Sequence, residues 1–403
     1  MSAATDGDVG VVHFSIRRPD GRRRSTHMRG LGLLAAWAAG WFVVLERHGG
    51  YSWHYFVHGS SLLFGGHPAG LTGAGGLQLY GSYPQYQIGP LAFVVAAGLG
   101  PFGLVVSQLF MVALGGVVLL SGARVAVLVG ATGDWRRRLR YAAALFVPLW
   151  MELAVHYSHL DDALAVALAS ASLWAAAARR GWAGVLLGGA IAAKPWAAGF
   201  LPLLWALPPG QRRSGVLWAV SVPLFAWLPF AVADPGMVWS TSHFTIQNAS
   251  DSALRVLGVH AARTPGWCRP AQLLCGVTMA ALAVRRGRWP AVVLASVAVR
   301  LLLDPGTYDY YTAGALAGAL IVDVALERRR WPLASTVAFA GLYAPHLAHL
   351  PAQLCGESRV VTCVALLALA VAGRRADGRS VEAAHRPTRH AVGESLGVPS
   401  GAL

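Results

Sequence analysis

Asp161 and Asp162 stand side by side in the run His156-Tyr157-Ser158-His159-Leu160-Asp161-Asp162, between two apolar stretches. Carboxylates beside a hydrocarbon phase are costly to keep, which argues that they are used. Either aspartate has the chemistry of a general base that takes a proton from a hydroxyl. Ser158, three residues before Asp161, also makes a capping-box pattern in which Asp161 would simply stabilise a helix start. His156 and His159 flank the pair as hydrogen-bond partners, metal ligands or interfacial polar residues. Lys194 is the lone charge of the apolar run 183–207. It would supply a point charge to a phosphate, snorkel to an interface or pair with Asp162.

Other groups carry weaker signals. The turn Asp304-Pro305-Gly306-Thr307-Tyr308-Asp309-Tyr310-Tyr311 combines acids with aromatics in a tight bend. Tyr308, Asp309 and Tyr310 suit contact with a sugar ring, and equally suit interfacial tyrosines with a helix cap. Arg300, four residues before Asp304, lies on the same helical face and pairs with it. Arg255 stands apart from the arginine clusters, which suits a phosphate contact. His54 and His58 have the spacing of helical metal ligands, but no acid accompanies them. Asn248-Ala249-Ser250 fits a glycosylation sequon. The four cysteines lack metal-type spacing, and Cys268 with Cys355 is the pair a bridge would join.

These residues must be positioned by apolar helices. The chain of 403 residues is 55% hydrophobic and only 13% charged, with mean hydropathy +0.50. Repeated apolar runs of this kind describe an all-α polytopic membrane protein. The net charge of +15 comes from arginines gathered in short clusters between those runs. That pattern marks cytoplasmic loops rather than a nucleic-acid surface. No cleavable signal peptide is expected, because no small-residue cleavage site follows the first apolar run.

Putting every arginine cluster on one side gives about 12 transmembrane helices with both termini cytoplasmic. Residues 1–29 form a basic, largely disordered tail, 30–374 the membrane domain and 375–403 a second cytoplasmic tail. The first span is Gly30–Leu45. A long outer segment, 46–102, carries interfacial helices, with Ile88–Leu99 too short to span. Gly103–Gly122 then crosses inward, Tyr141–Tyr157 outward and Asp162–Ala178 inward. Ala183–Ala193 and Trp196–Leu207 make a hairpin of short helices with Lys194 at its outer tip, one helix away from Asp162. Gly215–Ala233 leads to a second outer segment, 234–267, and five further spans end near Gly373.

This layout resembles the GT-C superfold, and within it the family-87 group of actinobacterial membrane mannosyltransferases that use polyprenyl-phosphate sugars. The stretches that carry the resemblance are HYFVHGSSLLFGG and LYGSYPQYQIGPLAF in the first outer segment, HYSHLDDALAVALA, LLGGAIAAKPWAAGFLPLLWALP and LLLDPGTYDYYTAGAL. It covers roughly residues 30–330, and its motifs are diffuse. It implies a polyprenyl-phosphate sugar donor, with mannose as the sugar, a lipid or glycan acceptor outside the plasma membrane, and inversion at the anomeric carbon. No cofactor is implied, and a divalent metal finds no support in the spacing. Such enzymes place their catalytic aspartate early in the first outer segment, whereas this chain has no carboxylate between Glu46 and Asp134. The base role therefore falls to Asp162, Asp161 or His54. Substrate binding falls to Lys194 and Arg255 as phosphate-side cations, with His159, Tyr308, Asp309 and Tyr310. A transporter or lipid flippase using the same charges, or a non-catalytic subunit of envelope assembly, is the alternative reading.

Overall fold

The computed structural model describes residues 21–65 and 76–373, and no β-strand occurs among them. Helix α1 (Gly21–Glu46) leads to α2 (Trp53–Phe64). Short α3 (Leu79–Ser82) and α4 (Pro90–Leu99) precede the long α5 (Gly103–Leu128). Next come α6 (Trp135–Met151), α7 (Leu160–Ala177), α8 (Ala183–Ala193) and α9 (Pro209–Ala233). The following loop holds α10 (Met237–Ser242) and α11 (Ala253–Val256). The remainder is α12 (Cys268–Arg285), α13 (Val292–Leu302), α14 (Thr312–Ala325), α15 (Leu333–Ala338), α16 (Ala344–Leu347) and α17 (Ala352–Val371).

Among the described residues, four helical stretches are long and apolar enough to cross a bilayer: 90–128, α7, α9 and α17. Helix α7 is mostly enclosed by the protein and every residue of α14 is buried, so these two form the centre. Helix α9 lies outermost, with Leu217, Phe225 and Val232 well exposed. An apolar outer face of this extent fits contact with lipid.

Small residues set the helix spacing. A side chain at Gly184 of α8 would run into the backbone of Gly215 on α9. Gly318 of α14 lies against the backbone of Leu294 on α13. Such contacts replace the hydrophobic drive that helices lack in lipid.

Prolines shape the rest. Pro148 inside α6 cannot donate to Ala144, and the orphaned carbonyl accepts instead from Trp37 Nε1 of α1 at 3.0 Å. One turn later α6 loosens into a π-helical turn, Glu152–His156. Ser158, at φ +51, then reverses the chain into α7. Pro195 and Pro202 hold residues 195–206 in a 3-10 helix rather than an α-helix.

The connections rich in arginine meet at one end of the bundle. Buried Arg138 donates to the carbonyls of Asp323, Arg329 and Thr132. Arg288 reaches Leu369 and Ala370 carbonyls and Glu327. Arg124 lies over the Trp174 ring, which brings the end of α7 to the same level. Asp161 and Asp162 occupy the opposite end of α7.

Several expectations change. Helix α1 starts at Gly21, so residues 21–29 are helical rather than a disordered tail. The expected span Pro332–Leu350 is one helical run from Leu333 to Leu347, with a π-helical turn at Phe339–Tyr343 between α15 and α16. Asn248 is buried and donates to the Val259 and Ala261 carbonyls, so the sequon is closed to modification. All four cysteines are free thiols. The expected tails at 1–20 and 375–403 lie outside the described residues.

Candidate functional site

Helix α7 starts where the π-helical turn of α6 ends, and this join positions the two aspartates. The turn is tied to the segment after α1. The Gly50 amide donates to the Val155 carbonyl (3.0 Å), Tyr51 to His156 (3.1 Å) and Ser52 to Tyr157 (2.7 Å). Gln108 of α5 also donates to Val155 (3.0 Å). Ser158 Oγ turns back to the Val155 carbonyl at 3.0 Å instead of capping α7, so the capping-box reading fails.

The aspartates differ sharply in their surroundings. Asp161 is fully buried and its acceptors are taken. Oδ1 accepts the Asp162 amide (2.8 Å) and faces His159 Nδ1 (2.6 Å), while Oδ2 accepts Lys194 Nζ. Two ions so deep in the protein are tolerable only as a pair. Asp162 Oδ1 accepts Trp196 Nε1 at 2.9 Å and lies 3.5 Å from Arg300 Nη1. Asp162 Oδ2 is buried and has no hydrogen-bond partner of its own. It lies 3.0 Å from His159 Nδ1 and 3.6 Å from Lys194 Nζ. A single ring N–H serves one carboxylate at a time, and Asp161 is nearer.

Lys194 stands between α8 and the 3-10 helix in extended backbone, φ −151 and ψ 114. The hairpin expected from sequence is present, with Lys194 at its tip and Trp196 beside it. Arg300, in the last turn of α13, crosses the site. Its guanidinium lies 4.5 Å from the Trp196 ring centre and 4.6 Å from that of Tyr311. It also lies 3.5 Å from Asp304, the pair that the spacing predicts. Burial pushes the Asp304 carboxyl upward, against the pull of Arg300 and the Gly306 amide. Between Asp162, Arg300, Trp196, Tyr310 and Tyr311 lies a void of about 10 Å³, room for one water.

The aromatic turn closes this side. Tyr310 is buried and stacks on His159, with centroids 4.2 Å apart. Tyr308 is exposed and stacks on Tyr310 at 5.6 Å. Asp309 points elsewhere, 3.8 Å from His346 Nδ1. Burial pushes its carboxyl above the usual range, with His346 opposing.

Asp161, Asp162, His159, Lys194 and Tyr310 thus come together, joined by Arg300, Trp196 and Tyr311. Three predicted residues are placed elsewhere: His54, Arg255 and Asp309, the last of which faces His346. His54 is exposed on α2 and packs on Tyr55, while neighbouring His58 meets the Tyr86 hydroxyl at 2.5 Å. Arg255 donates to the Asn248 and His260 carbonyls, so its guanidinium staples its own loop. Trp196 adjoins the Lys194-Pro195 hinge, and its indole N–H was the signal available for it in sequence.

Ligand atoms of His159, Asp161 and Asp162 lie within 4.8 Å of one another, a grouping compatible with one metal ion. The Lys194 ammonium already lies against both carboxylates. A divalent cation would have to displace it, so this donor set does not fit a resident metal.

No family model, no curated protein and no solved structure matches this chain.

Proposed function

We propose that this chain is a GT-C-type integral membrane glycosyltransferase. It moves a sugar, mannose, from a polyprenyl-phosphate donor to an extracytoplasmic lipid or glycan acceptor, with inversion. The proposal includes about 12 crossings of the plasma membrane with both termini cytoplasmic. The observation that carries it is Asp162: a buried carboxylate with one unpartnered oxygen, set between two cations and stacked aromatic rings.

In this reading Asp162 Oδ2 removes the proton of the acceptor hydroxyl. The acceptor oxygen attacks the anomeric carbon as its bond to the phosphate oxygen breaks. Polyprenyl phosphate leaves, and Lys194 and Arg300 meet its charge. Phosphate is already a good leaving group, so positioning, one base and charge neutralisation suffice. Asp161 is a positioning residue that holds Lys194 and His159. Exposed Tyr308, backed by Tyr310, offers the face for the sugar.

One observation favours the alternative of a carrier: Asp161 and Lys194 form a buried ion pair between apolar helices, as intramembrane charge relays do. A single assay separates the two. Purified protein in lipid nanodiscs is given radiolabelled polyprenyl-phosphate-mannose and actinobacterial membrane lipids. Transfer of label by wild type, reduced about 10²- to 10⁴-fold in Asp162→Asn, supports the base assignment. Donor binding with no transfer by wild type, together with label crossing the bilayer in liposomes, means a carrier.

A further inference from the structure

A second cleft is tied to the same aromatic turn through the Thr307–Asp251 and Asp309–His346 contacts. It has a volume of about 310 Å³ and is lined by Asp251, His346, His349 and Cys355 together with the apolar Leu350 and Ala352. That volume is at the small end of the range for small-molecule clefts.

Its walls are built from held polar groups. Asp251 Oδ1 accepts the Thr307 hydroxyl at 2.8 Å, and Oδ2 has no hydrogen-bond partner among the described residues. Arg359 is 1% exposed, and it donates to the Gly306 carbonyl and to His346 Nε2, each at 3.4 Å. An arginine only donates, so Nε2 accepts and the His346 proton sits on Nδ1. His349 sits at φ +50, a backbone region rare for residues other than glycine and characteristic of functional turns. His346 faces Arg359 through Nε2 and Asp309 through Nδ1, so the lining presents a carboxylate acceptor in Asp251 and an exposed imidazole, His349, that can donate or accept.

We infer that this cleft binds a neutral, hydroxyl-rich headgroup and is the acceptor subsite of the transferase. The identification as the acceptor rests on the proposed function, while the ligand class rests on the cleft alone. Hydroxyls need both donors and acceptors, and neutral ligands suit a lining in which acids and bases balance. A metal ion fits worse. Among the described residues only His159, Asp161 and Asp162 bring ligand atoms close enough for one ion, whereas the donors of this cleft are spread around its walls. The turn 304–311 is tied to both cavities: Tyr310 and Tyr311 line the void beside Asp162, and the Thr307 hydroxyl donates to Asp251 of the cleft.

The test uses full-length protein in nanodiscs and an octyl mannoside carrying a photoreactive diazirine. Labelled peptides are mapped by mass spectrometry. The variants are Asp251→Asn, which keeps the acceptor for Thr307, and His349→Asn, since asparagine tolerates the left-handed backbone. Both keep the fold if radiolabelled donor still binds them. The expected result is labelling within residues 346–355, competed by octyl mannoside and lowered at least tenfold in the double variant. Labelling should be unchanged in Asp162→Asn. Labelling equal in wild type and double variant, or absent from 346–355, overturns the inference. Manganese binding that disappears in the double variant, with no mannoside labelling, also overturns it in favour of a metal site. Labelling of the cleft in a protein that transfers no sugar leaves the hydroxyl-binding site standing and removes the transferase reading.

Discussion

At the scale of residues, adjacent aspartates have separate tasks. Asp161 holds Lys194, so Lys194→Met strands a buried carboxylate and should cost about 3–5 kcal/mol. Adding Asp161→Asn to that variant should recover much of the loss, because no charge is then left alone. Chemical unfolding in detergent micelles measures both, and equal stability of single and double variants would refute the pairing. Asp162→Asn keeps the acceptor for Trp196 and should be milder in stability than Lys194→Met, while the proposed function has it lose transfer. The doublet and the lysine were legible in sequence because charge in an apolar run is conspicuous. Glu152 and Asp323 are equally conspicuous as acids in apolar runs. Asp323 is buried at the arginine end of the bundle, where its two oxygens accept the Ala334 and Ser335 amides. Glu152 accepts the Tyr343 hydroxyl at 3.0 Å. Which cation meets which acid was not legible, since Arg300 and Asp162 are far apart in the chain and only helix packing joins them.

At the scale of elements, helix positions followed from hydropathy, and their ends did not. Helix α9 begins at Pro209 rather than Gly215, and α17 at Ala352 rather than Arg359. Polar and glycine residues near a helix end do not prevent helix when neighbours accept them. The bends were partly visible: proline marked the hinge at Lys194, whereas the π-helical turn before Ser158 has no pattern in sequence. Glycine spacing gives a matched test on α5. A methyl group at Gly115 meets the Trp150 ring, which is held by its bond to the Met111 carbonyl (2.9 Å). A methyl group at Gly116 meets nothing within 4 Å. Gly115→Ala should therefore destabilise by about 1–3 kcal/mol. Gly116→Ala should be neutral or stabilise by up to about 1 kcal/mol, as helix propensity predicts. Thermal unfolding of the two variants side by side decides it.

At the scale of the whole molecule, charge and architecture agree. Arg138, Arg288 and Arg124 hold the arginine-bearing connections together at one end, with the acid site at the other. The proposed orientation makes the arginine end cytoplasmic. A cysteine placed by Tyr308→Cys should react with a membrane-impermeant maleimide in intact cells, in a background where exposed Cys275 is serine. One placed by Arg329→Cys should react only after permeabilisation. The reverse pattern would invert the topology and place the aspartates inside the cell.

The one-water void beside Asp162 also has a consequence in time. A sugar ring cannot enter it while Tyr310 is stacked on His159 and Arg300 is held between Trp196 and Tyr311. In the proposed function binding therefore waits for the turn to swing open, and the expected affinity is the intrinsic affinity scaled by the open fraction. Tyr311→Leu removes one side of the clamp and should raise that fraction. In stopped-flow mixing this variant should capture donor faster than wild type yet turn over more slowly, because the gate that delays entry is also the wall that orients the reacting groups.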